Sequence, residues 1–200
     1  MSGGALPTVQ GPATATLTSV QPTRLSISHS LKRQARTSNI QRWGIAFSWS
    51  AMRRSVFMQF YAFLIAQRGQ ADTFTCTLAG HTAPQGTWPG TPVVTGAGQT
   101  GRSINLSGFT ASQTGVAKAG DLIKFTGHTK VYMVTADANS SVTGTATLAI
   151  EPALLASPAN GELVVYNNVP FTVAMTSDNL DMALSPGMMA PLSISVVEVF

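Results

Sequence analysis

The residues able to do chemistry are few and far apart. His29, His81 and His128 are the three histidines, none has a second ligand-type residue at metal-binding spacing, and CxxC, HExxH and HxH are all absent. Cys76 is the sole cysteine, so no intrachain disulfide can form, which suits assembly in a reducing cytoplasm. It stands at an inward strand parity, where a cysteine acts as a small hydrophobe. The G-x-S-x-G elbow of serve-and-attack hydrolases is missing. The glycines of Gly96–Gly101 lack the Lys-Ser/Thr pair and the following helix that a phosphate loop needs. Asp121 follows Ala119 and Gly120 and reads as a turn anchor. Asp178 and Asp181 are near enough to share a cation, but two carboxylates without a loop glycine do not make a calcium loop. The chain is expected to have no catalytic residue, no cofactor and no metal, and not to be an enzyme.

The charges carry more information than the nucleophiles. Residues 1–71 hold eight basic side chains (Arg24, Lys32, Arg33, Arg36, Arg42, Arg53, Arg54, Arg68) and no acid; residues 72–200 hold the other four and all eight acids. Opposite patches of this kind fix register when copies meet. Nucleic acid is another partner a positive segment suits, and plain solvated surface is a third reading. Trp43 and Trp49 lie near the cluster, but their parity suits a core face rather than base stacking. Only 10% of residues are charged, against about 25% in typical soluble domains, so partners or a Ser/Thr/Gly-rich β surface must account for solubility.

The elements that would position these residues are mostly short strands. Residues 1–22 contain Gly, Pro, Ala and Thr without charge and read as an extended arm with no core of its own. Leu25 and Ile27 alternate with serines, and Trp43, Ile45, Phe47 and Trp49 share one parity; these two runs are expected to pair across Lys32–Ile40. Ser50 as N-cap and Gly69 as stop predict a helix over Ala51–Arg68, apolar on so many sides that it must be widely covered. Its most apolar stretch, Val56–Ala66, is about half the ~20 residues of a membrane span, so no membrane partner is expected, and no signal-peptide pattern opens the chain. Further strands are expected at Asp72–Leu78, Pro92–Thr95, Ser103–Leu106, Asp121–Phe125, Lys130–Ala136, Gly144–Ile150, Glu162–Tyr166, Phe171–Thr176 and Leu192–Phe200. The fold class is mainly β: a β-sandwich of residues 23–87 and 157–200 with one helix packed on it, and a small β-barrel or meander inserted at residues 88–156.

One stretch is more specific. Lys118–Leu154 has an A-G-D turn, a short strand, a glycine turn, a V-x-x-V-T strand, a polar turn and then A-T-L-x-I-x-P. It resembles a pattern of tailed-phage virion proteins, with Ile123, Phe125, Val131, Met133, Leu148 and Ile150 facing a small core. Arg42–Leu78, a strand running into an apolar helix, a glycine turn and another strand, is similar to phage distal tail proteins. The resemblance implies a non-catalytic homo-oligomeric ring, often a hexamer, in the tail tip or baseplate. Such a ring joins tail tube to hub or fibres and leaves a lumen for DNA; it is made in the host cytoplasm and ends in the virion. On that reading the candidate subunit contacts are Arg24, Lys32, Arg33, Arg36, Arg53, Arg54, Phe57 and Tyr61. A neck adaptor, a head decoration protein, and a glycan- or protein-binding module are the alternatives.

Overall fold

The computed structural model describes residues 2–81, 83–182 and 189–200. Its organising strand is β5 (Arg42–Arg53), twelve residues whose odd positions are buried from Trp43 to Trp49. One neighbour is β2 (Thr14–Val20) and the other is β14 (Met189–Glu198), both antiparallel. The sheet continues through β13 (Pro170–Met175) and β6 (Thr73–Thr77) and ends at β1 (Ser2–Ala5), its one parallel neighbour pair. Residues 1–22, expected as a free arm, thus supply both edge strands of this sheet, and Leu6, Ala15 and Leu17 pack on its core.

The helix α1 (Arg54–Ala66) begins three residues later than expected. Ser50 does not cap it: the backbone of Met52 and Arg53 is held as strand by Ala190 and Met189. Arg53 is the N-cap and makes no side-chain cap bond. The helix ends near Gln67, and Arg68 and Gly69 both take positive φ, the left-handed turn that glycine accepts at no steric cost. Phe57, Phe60 and Leu64, at helical spacing, are buried against the sheet, where Phe60 meets Trp49 at 5.2 Å between ring centres.

The second unit is a nearly closed barrel: β7 (Gly90–Val94), β8 (Ser103–Phe109), β9 (Leu122–Phe125), β10 (Val131–Val134), β11 (Ala146–Glu151) and β12 (Val164–Val165), in spatial order β12-β9-β10-β11-β8-β7. A Val93–Leu163 bridge and Val94 N donating to Glu162 O at 2.9 Å bring the last strand back to the first. Closure needs residues beyond 156, so the barrel extends past the expected boundary to Val165. Removing the sheet edges in this way leaves few unpaired backbone groups.

The barrel core contains Ile123, Phe125, Leu148 and Ile150, as expected, together with Trp88, Ile104, Leu106, Tyr132 and Val134. Val131 and Met133 face the other way. Tyr132 takes the interior parity of β10, and Val131, Met133 and Leu122 instead pack on the six-stranded sheet. The layer opposite that sheet is therefore formed by α1 and by this flank of the barrel.

Candidate interaction surfaces

Thr23–Thr37 does not pair with β5. It folds back on itself as a two-stranded ribbon, β3 (Thr23–Ile27) against β4 (Arg33–Thr37), through a turn in which Leu31 N donates to Ser28 O at 2.9 Å. All ten strand residues are exposed. The register sets Arg24 directly opposite Arg36 and Leu25 opposite Ala35. One face of the ribbon thus carries Arg24, Ser26, Gln34 and Arg36; the other carries Leu25, Ile27, Ala35 and Arg33. Leu25 is 56% exposed and Ile27 66%. Lys32 lies in the turn. The fold thus brings Arg24, Lys32, Arg33 and Arg36 together on one projecting element.

The other candidates lie around α1. Arg53 and Arg54 are exposed where β5 becomes helix, away from the ribbon's strands in the chain. Phe57 is 1% exposed and belongs to the chain's own core, so it has no surface to offer as a subunit contact. Tyr61 is half-buried and stacks on Phe57 at 5.6 Å. The side of the helix that remains open carries Met58, Ala62 and Ile65, spaced by four and three residues, a stripe the sequence reading had not singled out.

Sequence reasoning also missed the junction between sheet and barrel. Lys130 at the start of β10 is ion-paired with Glu198 at the end of β14; their side chains are 2% and 0% exposed. Glu198 also accepts Val131 N at 2.8 Å and Trp43 N at 3.3 Å, and Lys130 donates to Gln41 Oε1 at 2.8 Å. Trp43 Nε1 donates across the same junction to Val131 O at 2.9 Å. Burial pushes the Glu198 carboxyl up and the Lys130 ammonium down, each against the pull of the partner's charge. The pair is 68 residues apart in sequence, and no local pattern announces it.

The remaining polar groups serve structure. Asp121 is fully buried and accepts the backbone N–H of Gln85, Gly86 and Lys118 and the indole N–H of Trp88, at 2.6, 3.1, 2.9 and 2.9 Å. The expected turn anchor thus also gathers the 84–88 loop onto the barrel end. Gly86 passes so close that a Cβ there would stand 2.7 Å from Ala117 Cα. Cys76 is buried and its thiol is pushed up to about 12 by desolvation. Among the described residues no three His, Cys, Asp or Glu side chains gather as a metal site, and no helix is long and apolar enough to cross a membrane.

A mostly β chain, with a small barrel clamped to a helix-backed sheet and its polar groups spent on structure, has the make-up of a structural component. Residues 81–169 match the family described as "Distal tail protein pb9, B domain". These bounds enclose every barrel strand and most of the first segment of resemblance, Lys118–Leu154, in its entirety; Arg42–Leu78 lies outside them. The match supports a tailed-phage distal tail protein, and with it a structural place in the virion tail. No curated protein matches the chain.

Proposed function

We propose that this chain forms a homo-oligomeric ring in the phage tail tip or baseplate, connecting the tail tube to hub or fibre proteins, without catalysing a reaction. The observation that carries this reading beyond the family match is the β3–β4 ribbon. A lone two-stranded hairpin is at best marginally stable in water, and this one has both faces uncovered and a row of cations. Such an element is explained by a partner. The open Met58, Ala62 and Ile65 stripe of α1 and the low overall charge favour the same conclusion. A hexamer is the stoichiometry the resemblance implies, and its lumen would pass DNA.

Size-exclusion chromatography with light scattering tests the reading. The expected result is a discrete multiple of the 20.9 kDa chain, six copies for a hexamer. A strict monomer across micromolar concentrations, unchanged by tail-tube or hub protein, overturns it.

A further inference from the structure

We infer that the β3–β4 hairpin is a docking arm that seats on a neighbouring copy of this chain, in the groove between Thr176–Asp181 and β14, with Arg24 and Arg36 facing the neighbour's Asp178 and Asp181. This rests on the ring reading above and adds to it the two surfaces that meet.

The hairpin itself asks for anions. Like charges directly opposite each other in a ladder are destabilising, and the register places Arg24 across from Arg36. No acidic residue occurs before Asp72, so nothing on the hairpin or its flanks relieves that repulsion.

The supply of carboxylates on the rest of the chain narrows the partner surface. Asp72 is paired with Arg68, Glu151 with Arg102, and Glu198 with Lys130. Glu162 lies beside His128, and Asp121 is fully buried. Asp137 holds Ala119 N. Asp178 and Asp181 remain as two exposed carboxylates three residues apart, with no cationic side chain paired to them among the described residues. Asp181 lines a groove of about 410 Å³ with Thr176, Leu180, Pro191, Ser193 and Ser195, and Asp178 stands beside it, holding Gln70 N. The groove is open and part apolar, so it can take the Leu25 and Ile27 side of a ribbon as well as its arginines.

Hairpin and groove are different patches of one chain. A contact between them is head-to-tail, which closes into a ring when the rotation between copies divides a full turn.

Paired cysteines test the geometry, because buried Cys76 will not compete. The full chain carrying Leu25→Cys together with Ser193→Cys is expected to give, on oxidation, a ladder of covalent oligomers ending at the native ring size. Neither single substitution should extend beyond a dimer. Charge reversal tests the pairing: Arg24→Glu with Arg36→Glu should raise the concentration for half-assembly roughly a hundredfold. Adding Asp178→Arg and Asp181→Arg should restore assembly, while the melting of the monomer is unchanged throughout. An oligomer that survives hairpin reversal, or a fourfold reversal no better than the twofold one, overturns the arm and leaves the ring reading standing. Loss of duplex-DNA binding on hairpin reversal with assembly intact overturns it in favour of a nucleic-acid role. A wild-type chain that stays monomeric overturns both.

Discussion

Replacing Lys130 with methionine should cost much of the protein's stability, and the cost should depend on pH in a particular direction. The substitution keeps the volume and strands Glu198, whose side chain is wholly buried, without a cationic partner. Breaking a buried pair in this way typically costs about 3–5 kcal/mol, out of the ~5–15 kcal/mol that a folded chain has. Lys124 and Arg42 are the other cations near the site; Lys124 is turned to Pro170 O and Arg42 lies over the Phe200 ring, so neither takes the vacated place. Burial already pushes the Glu198 carboxyl above its ordinary range, and loss of Lys130 pushes it further. A carboxyl whose folded pKa lies above its unfolded one stabilises the fold below the unfolded value, and that contribution disappears as pH rises through the folded one. The Lys130→Met deficit should therefore be small near pH 5 and full near pH 8.

Equilibrium urea unfolding, followed by Trp43 and Trp49 fluorescence, measures it. With a slope of ~2–3 kcal/mol/M, the midpoint should fall by about 1–2 M at pH 8. Adding Glu198→Gln removes the charge and keeps an oxygen for Val131 N and Trp43 N, so most of the loss should return. An equal deficit at both pH values, or a double variant no better than the single one, refutes the account of this junction.

Three further predictions concern the two cores and the arm. Phe60→Ala removes a fully buried ring that contacts Trp49 and should cost about 3–5 kcal/mol in the same unfolding assay. Asp121→Ala strands four donors around the barrel end, each worth roughly 1–3 kcal/mol when orphaned, and should lower the thermal midpoint of the barrel, read by Trp88 emission. Cys76 should not react with a thiol reagent at pH 8 in the native protein and should react fully in urea, since burial holds its thiol at about 12. Assembly that depends on the arginine hairpin should weaken steadily as salt rises from 0.05 to about 0.5 M, because exposed charges are screened beyond a Debye length.

Much of the fold could be read from alternation. The aromatic parity of Trp43, Ile45, Phe47 and Trp49 is the buried face of β5, and nine later strands fall where short apolar runs sit between turn residues. What failed did so where distant partners override local signals. Ser50 has the chemistry of an N-cap, but β14 captures the backbone through Arg53 and delays the helix. The hairpin turn was invisible because Leu31, not glycine, takes the positive φ, so β3 was assigned to the wrong strand. In β10, VYMV is apolar at every position, and alternation cannot say which parity enters the barrel; Tyr132 does. Of the eight candidate contact residues, four share the hairpin, whose charge pattern was plain, while Phe57 is consumed by packing that apolarity alone cannot distinguish from an interface. Lys130 and Glu198 meet only in the folded chain.

The most direct test is to label the protein on intact phage particles with gold-conjugated antibody and locate it by electron microscopy. The account predicts gold at the distal end of the tail, with none along the head. Label at the head surface or the head–tail neck would contradict it.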